Sequence, residues 1–326
     1  MGKIRRLGIC TLLGLCVLAA GCGKKATTGE KEQMSEQGRL EPVTESETAD
    51  KAERIICWGD SLTYGHGGDG VTYPSILAEK TDLEVINYGN SGETARQIAT
   101  RMGLLQLKAG AFEIPANTEA VGLFLWQDGE DPLWMRYGDS GINPCKIGGV
   151  EGTLSYNALD NMYYFTRSEA GEAVTIAEGT DVVTYASTDI RKSDIIILFA
   201  GTNLPPDKNT VGELIDMEQK MLDYLGSEKY VVIGLTSKEL IPDIEPVNEA
   251  LSEAFGEHFL DIREYLLENG LSDAGIQPTK QDQKDMENGE IPTSLRVDEV
   301  HGNSEFYRII GEQVYEKLDS LGYLAK

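Results

Sequence analysis

From Ile55 onward, short apolar runs alternate with longer stretches whose apolar residues recur at three- and four-residue steps. Ile55-Ile56-Cys57-Trp58 ends at Gly59 and reads as a buried parallel strand. Glu84–Tyr88, Asp194–Ala200, Tyr230–Leu235 and His258–Asp261 read as four more strands. Between them, Pro74 opens a helical stretch to Lys80, as suits proline at a first helical position. Thr94 to about Leu105 is helical, with Ile98, Met102 and Leu105 on one face. Leu214, Met217, Met221 and Leu225 mark another helix, Val247–Phe255 a further one, and Phe306, Ile310, Val314 and Leu318 the last. Strands alternating with helices predict an α/β domain, an open parallel sheet covered on both faces.

Two regions break the alternation. Residues 108–189 hold short β-prone runs between Gly-rich turns: Ala120–Trp126, Gly152–Tyr156, Met162–Thr166, Val174–Ile176 and Val182–Tyr185. They predict a β-rich module inserted into the α/β domain, which then comprises 55–107 and 190–326. Gln277–Ser294 is polar and reads as a long loop, of a kind that is often functional.

The N-terminal stretch has a different pattern. Lys3, Arg5 and Arg6 precede the apolar run Leu7–Ala20, which is short for a membrane span. It ends in Leu18-Ala19-Ala20-Gly21-Cys22, which resembles the lipobox of bacterial lipoproteins, with Ala19 where Leu is more usual. That resemblance implies a signal peptide over 1–21, lipidation of Cys22, and an extracytoplasmic chain anchored to the bacterial cell membrane. An ordinary signal peptide or an uncleaved anchor would also put the chain outside the cytoplasm. Residues 22–54 are polar and predict a disordered tether, with folding beginning at Ile55.

The charge narrows the partners. The 326 residues carry a net −25, and loss of 1–21 would make it −28. Such a surface repels phosphate backbones, so nucleic acid is not an expected partner. Of five cysteines, Cys57 and Cys145 lie beyond Cys22, and they can either pair or remain as buried thiols. No Cys/His cluster has zinc spacing, and no metal or cofactor is expected.

Candidate chemistry sits after the predicted strands, where open α/β sheets bind ligands. Gly59-Asp60-Ser61-Leu62 follows the first strand. A nucleophilic serine needs a base, and the chain has three histidines. His66 lies in a Gly-rich turn and His258 leads into an apolar run. His301 sits in Asp298-Glu299-Val300-His301, where an acid one turn away can orient the imidazole. Gly92 after the second strand and Asn203 after the third can supply oxyanion donors, or can be ordinary turn residues.

Ser61, Gly92, Asn203 and Asp298-x-x-His301, in this order, resemble the four blocks of the SGNH hydrolases, or GDSL esterases and lipases. The resemblance spans Ile55–Leu105 and Asp194–Leu318. It implies a flavodoxin-like three-layer sandwich with a five-stranded parallel sheet. It implies Ser61 as nucleophile, His301 as base, Asp298 as its orienter, and Ser61, Gly92 and Asn203 as the oxyanion hole. Asp60 matches the family pattern. Leu204 does not: an Asp that supports the loop usually follows the Asn.

The expected substrate is an acylated small molecule or glycan, with O-acetyl esters of carbohydrate or cell wall first. A lipase or lysophospholipase is the alternative within the class, and a non-catalytic glycan-binding lipoprotein the alternative outside it. Trp126, Trp134, Tyr137, Tyr156, Tyr163, Tyr164 and Phe165 of the insertion can stack on sugars or form a small β core. The insertion joins the chain between the Gly92 and Asn203 blocks, so it is expected to overhang the cleft. A base must be neutral, so activity should fall as pH drops through the ordinary histidine range, about 6.5.

Overall fold

A computed structural model describes residues 54–127 and 132–324. The signal segment, Cys22 and the tether up to residue 53 lie outside the described residues. Arg54, expected to close the tether, instead opens the first strand and is buried. Its guanidinium is held by Asp194 at 2.7 Å and Asp189 at 2.6 Å, which offsets the cost of burying the charge.

The chain runs β1 (Arg54–Gly59), α1 (Ser61–Tyr64), α2 (Tyr73–Lys80), β2 (Glu84–Gly89) and α3 (Ala95–Met102). The inserted region follows with β3 (Leu107–Ala109), β4 (Phe112–Ile114), β5 (Val121–Leu123), β6 (Leu125–Trp126), β7 (Cys145–Ile147), β8 (Val150–Asn157), β9 (Met162–Arg167), β10 (Val174–Ile176), β11 (Thr180–Val183) and α4 (Tyr185–Thr188). The α/β part resumes with β12 (Ile195–Phe199), α5 (Val211–Leu225), β13 (Tyr230–Ile233), α6 (Ile244–Phe255), β14 (Phe259–Leu260), α7 (Ile262–Asp273), α8 (Lys280–Glu287) and α9 (Ser304–Ser320).

β2, β1, β12, β13 and β14 lie side by side in that order, all parallel. This is the flavodoxin-like order, and the chain reverses direction across the sheet between β1 and β12. Period-two alternation sorts the strand residues into two cores. Ile56, Trp58, Ile196, Leu198 and Val232 face α3, α5 and α6. Ile55, Cys57, Ile197, Phe199 and Val231 face α2, α7 and α9.

Local signals explain several helix ends. Capping boxes start α2 at Thr72 with Ser75 and α3 at Thr94 with Gln97. Gly103, in the left-handed region, stops α3 at Met102, short of Leu105. The Gln277–Ser294 segment is not a plain loop, because α8 lies within it. That helix is polar apart from Met286, which packs against the second core, and shows no apolar period. Tertiary hydrogen bonds hold it instead: Asp282 accepts from Ser294 N at 2.9 Å, and Asp285 from Thr293 N at 2.8 Å.

In the inserted region, β5, β9, β8, β7, β11, β3 and β6 form a seven-stranded sheet, and β10 pairs with β4. β3, β4 and β7 are three residues each, too short to announce themselves by alternation. The last β-prone run ends at Val183, since Thr184 caps α4 and turns Tyr185 into helix. Trp134, Phe165, Leu154, Ile147 and Cys145 belong to a separate core.

Candidate active site

β1 and β12 run side by side to their carboxyl ends. A side chain at Gly59 would come within 2.5 Å of the Phe199 carbonyl oxygen, so only glycine lets the chain leave β1 here. Asp60 caps α1 by accepting the Leu62 N–H at 3.0 Å. Ser61 is therefore the first residue of a short helix, nearly buried.

Ser61 Oγ lies 2.9 Å from His301 Nε2. The other ring nitrogen, Nδ1, lies 2.9 Å from Asp298 Oδ2 and 3.1 Å from Oδ1. Asp298 also accepts the backbone N–H groups of Val300 (2.8 Å) and His301 (2.7 Å). The Asp-x-x-His spacing thus closes on itself. The carboxylate fixes the turn and then faces the ring that the turn presents. Partial burial opposes the charge on Asp298, but these donors outweigh it and hold the carboxyl down to about 2. An ionised carboxylate can only accept, so Nδ1 carries the ring proton and Nε2 is left to accept from Ser61.

Neighbouring elements hold this loop. Val297 N–H donates to His301 O at 2.9 Å. Ser237 Oγ, after β13, donates to Glu299 O at 2.9 Å. Asn303, the cap of α9, donates to Ser294 O at 2.8 Å.

The second and third blocks meet beside Ser61's strand. Gly92 has φ +82°, a conformation suited to glycine. Its N–H donates to no protein group among the described residues. Asn203 Nδ2 donates to Glu93 O at 3.0 Å, and Asn203 pairs with Thr94 in an isolated parallel bridge. That pairing supports the Asn203 loop where Leu204 replaces the expected Asp. Leu204 itself is exposed and left-handed, at φ +66°. Beneath the turn, Glu93 and Arg101 form a fully buried ion pair at 2.7 Å. Arg101 also donates to Tyr88 O at 2.9 Å and to Ser140 O, in the inserted region, at 2.8 Å.

The inserted region reaches the site at this turn. A side chain at Gly92 would meet Leu133 Cδ1 at 3.1 Å, and Ser140 Oγ donates to Gly89 O at 2.7 Å. On the other side of Asn203 is a cavity of about 630 Å³. Its wall includes Arg96, Leu204, Pro205, Leu214 and Met217.

The remaining candidates separate clearly. Trp134, Tyr163 and Phe165 are buried core residues, whereas Tyr137 is exposed and Trp126, Tyr156 and Tyr164 are half-buried. Cys57 and Cys145 are both free and buried. Burial pushes the Cys145 thiol up to about 12 and the Cys57 thiol up as well, so both are poor nucleophiles. His258 stacks on Tyr230 and pairs with its carbonyl oxygen at 3.1 Å. Asp60 is fully buried, and burial pushes its carboxyl up to about 7 against the pull of the Leu62 N–H, with Glu93 adding to the rise.

Sequence spacing did not reveal the Glu93–Arg101 pair, Ser237, Leu133 or the placement of His66. The first had one local signal, an acid and an arginine eight residues apart across a helix cap. The others act on residues far away in the chain. The His66 ring lies 4.4 Å, centroid to centroid, from that of His301.

With four ordered blocks gathered at one sheet end, known structures offer a comparison. The chain is similar to lipolytic proteins of the G-D-S-L family. One such member, from Veillonella parvula DSM 2008, shares 17% identity, with 81% of this chain and 97% of that one covered and a TM-score of 0.42. A lipase/acylhydrolase from Enterococcus faecalis shares 12% identity over 83% of this chain and 97% of that one, with a TM-score of 0.43. A peptidoglycan O-acetylesterase shares 12% over 84% and 92%, with a TM-score of 0.34. No protein-family model and no curated protein matches the sequence. The chemistry open to the site rests on its own distances.

Proposed function

We propose that this chain is a serine ester hydrolase with Ser61 as nucleophile, His301 as general base and Asp298 as its orienting carboxylate. The observation that carries the reading is the unbroken chain Ser61 Oγ–His301–Asp298, with both links at 2.9 Å. Ser61 Oγ attacks the ester carbonyl carbon while His301 Nε2 takes the hydroxyl proton. The carbonyl oxygen becomes an oxyanion, which the N–H groups of Ser61 and Gly92 and the Asn203 amide receive. One Asn203 N–H is engaged by Glu93 O, and the second is left for the oxyanion. As the tetrahedral intermediate collapses, His301 returns the proton to the leaving alcohol. Water then repeats the sequence on the acyl-enzyme, releasing the acid and restoring Ser61.

For the substrate, the reading is an O-acetyl ester on carbohydrate, cleaved outside the cytoplasm by a protein anchored through lipidated Cys22. Support comes from the half-exposed catalytic loop, where Asp298 is 40% accessible, and from the inserted region at the Gly92 turn. The cavity beside Asn203 favours a second reading within the class. Leu204, Pro205 and Met217 give it an apolar wall that suits a longer acyl chain.

Hydrolysis of p-nitrophenyl acetate by the purified protein tests the mechanism. Ser61→Ala should lose at least roughly a thousandfold in kcat. Equal rates for the two proteins would refute it. Comparing acetylated oligosaccharides with p-nitrophenyl octanoate separates the two substrate readings.

A further inference from the structure

Two of the triad residues have a third neighbour that the ester chemistry does not use. His66 follows α1, and its backbone is pinned. Its N–H donates to Ser61 O at 3.0 Å, and Tyr307 Oη donates to its carbonyl at 2.6 Å. The ring, in contrast, is exposed and makes no hydrogen bond among the described residues. It leans against His301 at an interplanar angle of 49°. His66, Asp298 and His301 can each offer one ligand atom, all within 4.8 Å of one another.

We propose that His66, Asp298 and His301 form a site for a divalent transition ion such as Zn²⁺, and that its occupation switches the hydrolase off. The switching half rests on the serine-hydrolase reading above, and the binding half does not. Two imidazoles and a carboxylate are a common zinc set, with bonds of about 2.0–2.2 Å. Tetrahedral bonds of that length put ligand atoms about 3.4 Å apart. Rotation of the free His66 ring can bring its nitrogen to that distance with its backbone left in place, while Asp298 Oδ2 and His301 Nδ1, now 2.9 Å apart, need only open by about 0.5 Å. The solvent-facing side leaves room for water as a fourth ligand. The net charge of −25 adds a long-range attraction for cations.

The inhibition follows from electron counting. A neutral imidazole has one nitrogen lone pair in the ring plane, and a bound metal takes it. If Nε2 of His301 binds, no lone pair is left for the Ser61 proton. If Nδ1 binds, the ring proton sits on Nε2, which then donates toward Ser61. Either way His301 ceases to be a base. His66 lies far from the other two residues in sequence, so no spacing motif announces the site.

Titration calorimetry with Zn²⁺ tests binding on the wild type and on Ser61→Ala, whose result does not depend on turnover. One ion per chain is expected for both. His66→Ala and His66→Gln should weaken it by at least the roughly tenfold that loss of even an outer partner costs. In parallel, Zn²⁺ should inhibit p-nitrophenyl acetate hydrolysis by the wild type, EDTA should restore it, and His66→Ala should resist. Absence of Zn²⁺ binding by the wild type, or equally tight binding by both His66 variants, would overturn the site. Binding without inhibition in an active enzyme would overturn the switch. If no ester is hydrolysed at all, the serine-hydrolase reading fails while the isotherms still decide the metal site.

Discussion

A serine hydroxyl attacks an ester only when a base takes its proton. In the proposed mechanism that base is His301, beside an acid that stays ionised, since Asp298 is pulled down to about 2. The acid limb of kcat/KM therefore reports the imidazole rather than the carboxylate. A limb near about pH 4, the ordinary carboxylate range, would contradict the assignment. Asp298→Asn should cost on the order of a thousand- to ten-thousandfold in kcat, because it disfavours the tautomer with Nε2 free. Asp60 carries the opposite electrostatics. Its folded carboxyl titrates at about 7, above the unfolded value of about 3.9, so the folded state binds the proton more tightly. Its contribution is full below about pH 4 and is lost as pH rises toward about 7, at about 1.4 kcal/mol per unit. Urea midpoints across that window should fall for the wild type and flatten for Asp60→Asn. Equal slopes would show that another group sets the dependence.

At the scale of elements, the loop that carries Asp298 and His301 depends on a helix that touches neither residue. Asp282 of α8 accepts from Ser294 N and Oγ, and Ser294 O in turn accepts from Asn303 at the cap of α9. Asp298 and His301 lie between those two residues in sequence. Asp282→Ala should expose the α8 amides to faster hydrogen exchange. It should also lower kcat by up to about a hundredfold, as small misplacements of catalytic groups do. Unchanged kcat with faster exchange would separate α8 from the site. This dependence was not legible in the sequence. The Pro- and polar-rich text of Gln277–Ser294 has no periodic apolar face, and its order comes from side chains folding back onto it and from Met286 and Ile291 packing against the core. The five sheet strands were legible: β1, β12 and β13 are buried on both faces and almost wholly apolar, and the edge strands β2 and β14 still carry short apolar runs.

Across the whole molecule, Arg101 joins three parts: the end of β2, the Gly92–Glu93 turn and the inserted region at Ser140. Its loss would leave Glu93 without its counter-ion in a dry interior, with the Asn90 amide still donating to it at 2.7 Å. Arg101→Met should therefore destabilise by about 3–5 kcal/mol in urea unfolding. Adding Glu93→Gln should recover part of the loss. A single-variant effect under about 1 kcal/mol would mean that the pair is not buried as described.

The sequence alone was enough to read the α/β alternation, the rough place of the β-rich insertion, and the order of Ser61, Gly92, Asn203 and Asp298-x-x-His301. All of these are local properties, set by residue periodicity and by the few residues just after each apolar run. The tertiary structure decided the features that distance along the chain conceals. It set the strand order that makes β1 and β12 neighbours, the closure of His301 onto Ser61, and the support of Asn203 by Glu93 in place of an Asp at 204. It also set the approach of Leu133 to Gly92 and of His66 to His301. Each is a contact between segments that local patterning treats as independent. Packing two faces of one sheet is the force that brings them together.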